Sequence, residues 1–154
     1  MMNGGDGMEQ TIREEQLNLP AELSELDRIA EITEQLMEGA PARTIKAVQV
    51  SIEELFVNIY SYAYGEDYKG EKFCSLRWRR EEQDGKAKIV VRIADRGKPF
   101  DPVAKEDPDI TLKLEDRGVG GMGVLMVKRY MDRVSYEYKD NQNVVTLEKE
   151  WQTK

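Results

Sequence analysis

Glu54 and Asn58 stand four residues apart in Glu54-Leu55-Phe56-Val57-Asn58, inside a segment with helical periodicity. Residues at that spacing share a helix face. At about 100° per residue they fall beside the apolar stripe rather than opposite it, at the edge of the core. The Asn58 amide oxygen is a hard donor suited to Mg²⁺, which takes few protein ligands and completes its shell with phosphates and water. The Glu54 carboxylate can accept a hydroxyl proton. Taken alone, the pair also fits a solvated helix edge.

Asp95-Arg96-Gly97-Lys98-Pro99-Phe100-Asp101 follows the most strand-like segment, KAKIVVRIAD. A carboxylate at a strand end can accept from an exocyclic amine such as that of adenine. Gly97 lets the backbone come close to a flat base. A plain turn is the competing reading, because Asp, Gly and Pro are turn residues. The third constellation is Arg117-Gly118-Val119-Gly120-Gly121-Met122-Gly123. Four of the six residues 118–123 are glycine, in a chain with 12 glycines among 154 residues. Glycines at a helix start leave backbone N–H groups free to meet an anion at the positive end of the helix dipole. Arg117 adds a charge-assisted contact to phosphate. The loop lacks the Gly-Lys-Ser/Thr ending of a P-loop and does not follow a strand in a parallel βαβ unit.

The elements needed to position these groups are legible in the pattern. Residues 11–19 alternate as a strand that ends at Pro20. Residues 21–38 place Leu23, Leu26, Ile29, Ala30, Thr33, Leu36 and Met37 on one helical stripe, with Gly39 at the C-terminal cap. Pro41 opens a second helix over 42–64. Residues 72–82 and 86–95 form a hairpin around Asp84-Gly85. An irregular stretch spans 96–118, followed by a helix over 119–131. A last hairpin, 132–139 with 143–151, turns at Asp140-Asn141-Gln142. This order predicts an α+β fold: an antiparallel or mixed sheet with helices on one face. Residues 1–10 read as a flexible leader and 11–151 as one domain.

Composition narrows the chemistry. There is no histidine, which removes Ser-His-Asp and Cys-His catalysis and His-ligated zinc. The single cysteine, Cys74, excludes an internal disulfide and suits a reducing cytoplasm. No apolar run approaches the roughly 20 residues of a membrane span. The net charge of −7 argues against nucleic acid as a partner. The one basic run, Arg77-Trp78-Arg79-Arg80, reads as a strand with Arg77 and Arg79 on a solvated face and Trp78 and Arg80 on the other.

In order and spacing the three constellations resemble the motifs of the GHKL ATP-binding proteins, and among them the anti-sigma factor serine kinases of the RsbW and SpoIIAB type. Glu54 to Asn58 resembles the N box, Asp95 to Asp101 the first glycine box, and Arg117 to Val127 the second. Met131-Asp132-Arg133-Val134-Ser135-Tyr136 resembles the tail that follows. The resemblance spans about residues 11–150. It implies a two-layer sandwich of the Bergerat, histidine-kinase-like type, with a mixed, mostly antiparallel sheet. It also implies ATP and Mg²⁺ as cofactors, with Asn58 as the Mg²⁺ ligand and Glu54 as general base. Asp95 would hold the adenine amine, with Gly97 against the base. Gly118, Gly120, Gly121 and Gly123 would wrap the phosphates within a lid spanning 103–118. The implied partners are a STAS-like anti-sigma-factor antagonist, a sigma factor and a second copy of the chain paired through the first strand. One departure stands out: Asn58 is followed by Ile59-Tyr60-Ser61-Tyr62, where the family often carries a basic group. Lys98, Arg117 and Lys128 are candidate replacements. A nucleotide-switched binding module without phosphotransfer, and the catalytic part of a sensor histidine kinase, are the alternative readings.

Overall fold

In the computed structural model, residues 9–103 and 121–153 are described. Strand β1 (Thr11–Pro20) leads through a short 3₁₀ turn (Leu23–Glu25) into helix α1 (Leu26–Leu36). Helix α2 (Ala42–Asn58) follows and continues as one π-helical turn (Ile59–Ala63). Then come β2 (Phe73–Gln83), β3 (Lys86–Asp95), α3 (Gly121–Tyr130), β4 (Arg133–Lys139) and β5 (Gln142–Gln152). The five strands lie in the order β1-β2-β3-β5-β4. Every neighbouring pair is antiparallel, so the sheet has no parallel pairing.

Alternation along the strands separates two faces. Cys74, Leu76, Trp78, Ile89, Val91, Ile93, Val145 and Leu147 point into the core. Ile29 and Leu36 from α1, and Val48, Ile52, Leu55 and Phe56 from α2, close over them. Each such side chain taken from water contributes about 1.5–3 kcal/mol. The stripe predicted for the first helix is the inward one from Leu26 onward; Leu23 instead falls in the 3₁₀ turn and is exposed.

Two polar side chains lock α1 onto the sheet. The Trp78 indole N–H donates to Thr33 Oγ1 at 3.0 Å, and that hydroxyl donates to the Ile29 carbonyl at 2.9 Å. Arg80 lies on the core face beside Trp78, as the basic run predicts. Its Nη1 donates to the carbonyls of Leu36 (2.9 Å) and Glu38 (2.7 Å), and its Nη2 pairs with Glu82 at 3.0 Å. A guanidinium thus satisfies carbonyls that the end of α1 leaves without helical partners. Gly39 turns the chain with φ +93°, as expected of a C-terminal cap.

Three boundaries differ from the sequence reading. The second helix stops being α-helical at Asn58 and finishes in the π turn. Pro41 sits just before α2, with Ala42 the first helical residue. The last hairpin turns on two residues, Asp140 and Asn141, both at positive φ (54° and 61°). That is the geometry a two-residue hairpin favours. Gln142 therefore joins β5 opposite Lys139. In the separate pairing of β3 with β5, Asn143 stands opposite Asp95.

Candidate functional site

At the ends of β3 and β5, between the sheet and the C-terminal part of α2, lies a cleft of about 440 Å³. Asn58, Tyr62 and Ala63 line it from α2 and its π turn, Asp95 and Asn143 from the sheet, and Lys98 to Phe100 from the following loop. The first two constellations, 37 residues apart at Asn58 and Asp95, thus meet across one space.

Asp95 is buried at the end of β3. Its Oδ1 accepts from the Gly97 N–H (2.8 Å) and from Asn143 Nδ2 (3.0 Å). Both bonds fall on the same oxygen, which among the described residues leaves Oδ2 as the acceptor for an incoming donor. Burial raises the Asp95 pKa, and the bonds from Asn143 and Gly97 hold it back.

Asn143 organises this end of the site, and the sequence reading did not single it out. Its Oδ1 accepts from the Phe100 N–H (3.0 Å) and the Tyr136 hydroxyl (2.6 Å). Two donors on Oδ1 fix the orientation of the amide. Nδ2 is thereby aimed at Asp95 and at the carbonyls of Gly97 (3.3 Å) and Lys98 (2.9 Å). One buried amide holds both the carboxylate and the loop that follows it. The only sequence signal was an Asn at the start of the predicted last strand, in phase with the inward-facing Val145 and Leu147.

Gly97 has a steric reason to be glycine. A Cβ there would fall 2.2 Å from the carbonyl oxygen of Ala63. That carbonyl ends the π turn and accepts from the Lys98 N–H at 3.2 Å. The close approach ties the loop to α2. Beside it, the Tyr64 hydroxyl donates to the Phe73 carbonyl and accepts from the Arg96 N–H. Burial pushes that phenol up to about 12. The Ala63 oxygen belongs to backbone and cannot swing away. Gly97→Ala is therefore expected to destabilise the protein by about 1–3 kcal/mol and lower Tm by about 3–10 °C, read by calorimetry.

Glu54 lies one helical turn before Asn58 and is half-buried. A Cβ on Gly123 would lie 2.1 Å from Glu54 Oε2, so the third constellation reaches the first in the first turn of α3. Gly121 opens that helix. Arg117, Gly118 and Gly120 lie outside the described residues, as does all of the proposed lid beyond Val103. Of the candidate replacements for a basic N box, Lys98 lines the cleft, whereas Lys128 sits in the last turn of α3. Among the described residues no group of three or more acidic, His or Cys side chains could hold a metal. A magnesium ion here would depend on Asn58 and on the phosphates it arrives with, which matches the sparse protein ligation this ion accepts. Among the described residues, no helix is long and apolar enough to cross a membrane.

The site sits in a fold with solved counterparts. The structure of the RsbU and RsbW domains of Rv1364c from Mycobacterium tuberculosis superposes with a TM-score of 0.58 at 15% identity. The match covers 89% of this chain and 31% of that one, so this chain spans about a third of that protein's length. In sequence, the serine/threonine-protein kinase BtrW of Bordetella bronchiseptica is 28% identical over 106 residues, 69% of this chain and 70% of BtrW. The model of the histidine kinase-like ATPase domain matches residues 19–149, a span that contains all three constellations and three of the five strands whole. With its two-layer fold and a cleft joining Asn58 to Asp95, the chain belongs to the histidine kinase-like ATPase domain family.

Proposed function

We propose that this chain is an ATP-binding anti-sigma factor and serine-protein kinase, which phosphorylates an anti-sigma-factor antagonist and holds a sigma factor. The observation that carries the reading is the cleft itself. It gathers an ionisable acceptor with one free oxygen (Asp95), an amide suited to Mg²⁺ (Asn58) and, one turn away, a carboxylate (Glu54) against the glycine-bearing start of α3. Asp95 accepts the adenine amine and Asn143 keeps it in place. The exposed rings of Tyr62 and Phe100 line the same cleft and offer flat faces to the base. Asn58 holds Mg²⁺, which when bound neutralises charge on the phosphates. Glu54 takes the proton of the attacking serine hydroxyl. Phosphoryl transfer needs positioning and charge neutralisation more than covalent help, and these residues supply both. The similarity to BtrW supports the kinase assignment. The free edge of β1, exposed over Thr11–Gln16, is where a second copy would pair.

The test is calorimetric titration of the protein with ATP and with ADP in the presence of Mg²⁺. Micromolar binding, weakened about tenfold or more by Asn58→Ala, is the expected result. Failure of both nucleotides to bind would refute the reading. The run Ile59-Tyr60-Ser61-Tyr62, without a basic residue, favours a second reading: a nucleotide-switched, protein-binding regulator that transfers no phosphate.

A further inference from the structure

The second face of the sheet, away from the helices, carries its own pattern. Gln16, Arg77, Arg92 and Thr146 form one row across β1, β2, β3 and β5. The adjoining charges are joined in a ladder. Glu14 and Glu81 pair with Arg79 (3.1 and 2.7 Å), and Lys88 pairs with Glu81 and Glu148 (3.8 and 3.7 Å). Arg77 and Arg92 take no part in it. They are exposed, directly opposite on neighbouring strands, and among the described residues neither side chain has an ion pair or hydrogen bond. Like charges in that position destabilise a sheet. A protein of net charge −7 has carboxylates to spare, yet among the described residues none is placed on these two guanidinium groups. Both line a shallow depression of about 620 Å³.

We propose that this depression is a docking site for a segment of a partner protein that carries adjacent carboxylates at its centre and Lys or Arg on its flanks. The central carboxylates meet Arg77 and Arg92, whose planar forks suit bidentate pairing. The basic flanks meet Glu14 and Glu148, which border the depression and, together with Glu81, set three carboxylates against the two cations Arg79 and Lys88. The same acids repel an extended polyanion, so the face selects a short mixed-charge segment over nucleic acid. Ile93, Asp95 and Val145, which line the nucleotide cleft, lie on the opposite face of the same strands. A partner on the open face therefore leaves the cleft accessible, and the proposal does not depend on ATP binding.

The probe is a fluorescein-labelled peptide, Lys-Lys-Gly-Glu-Glu-Gly-Lys-Lys, titrated into the full chain at low salt. Anisotropy gives the affinity and amide NMR shifts give the location. Expected are shifts centred on β2, β3 and β5 around Arg77 and Arg92. The affinity should fall roughly tenfold in the Arg77→Gln/Arg92→Gln double variant, and equally when the central glutamates become glutamines. The free double variant should melt about 1–3 °C higher than the native protein, because a like-charge pair has been relieved. Absence of binding, shifts elsewhere, or an affinity indifferent to the two arginines would overturn the proposal. So would a lower Tm in the double variant, since the arginines would then be structural. Loss of self-association in that variant would identify the face as a contact between copies of this chain and overturn it as well.

Discussion

Replacing Glu54 with glutamine is expected to slow phosphotransfer to a STAS-type antagonist by about 10²–10⁴-fold, the range over which a positioned base acts. ATP affinity should change little, because Asn58 and Asp95 are untouched. The readout is single-turnover transfer of labelled γ-phosphate beside a binding titration of the same variant. Equal rates in native and variant proteins would remove Glu54 from the chemistry. A native protein that binds ATP and transfers nothing would establish the switch reading instead. Gly123 offers a companion test that leaves the carboxylate in place. Its Cβ would overlap Glu54 Oε2, and the end of a glutamate can swing aside. Gly123→Ala should therefore fold normally yet move the base, and a displacement of about 1 Å costs on the order of 100-fold in rate.

Asp95→Asn is expected to weaken ATP binding by about 100-fold, the loss of a hydrogen bond to a charged group together with a donor now facing a donor. The reversal follows from the geometry. Gly97 N–H and Asn143 Nδ2 both donate to Oδ1, so the amide of an asparagine must keep its oxygen there. Its NH₂ group then replaces the free Oδ2 and opposes the adenine amine. Stability should move the other way. Burial raises the folded-state pKa of Asp95, so the native fold carries the charged form at a cost. Stability associated with this group is fully present below its unfolded pKa, near 3.9, and is lost as pH rises through the raised folded value. The variant should thus melt higher than the native protein at pH 7, with the difference shrinking as pH falls through the raised folded value towards about 4. A variant that melts lower at pH 7 would show that the charge on Asp95 stabilises the fold.

The strands, the helical stripes and the hairpin at Asp84-Gly85 were legible because each depends on residues within a few positions of one another. Periodicity fixed which side of α1 and α2 is buried, and it separated Trp78 and Arg80 from Arg77 and Arg79. Glu54, Asn58, Asp95, Gly97 and the glycines of 118–123 were found the same way, as local motifs of suitable chemistry. The tertiary structure decided what those motifs touch. Asp95 and Asn143 are 48 residues apart and meet only because β3 and β5 pair in one register. The contact of Gly123 with Glu54 and the approach of Gly97 to Ala63 depend on how α3 and the loop after β3 pack on α2. That Arg77 and Arg92 stand opposite each other, with no side-chain partner among the described residues, is likewise a property of the assembled sheet. Sequence alone determined the residue chemistry and the periodic elements, because short-range sterics and solvent partition govern both. Register, close backbone approach and charge pairing waited on the sheet, because they are set by contacts between segments far apart along the chain.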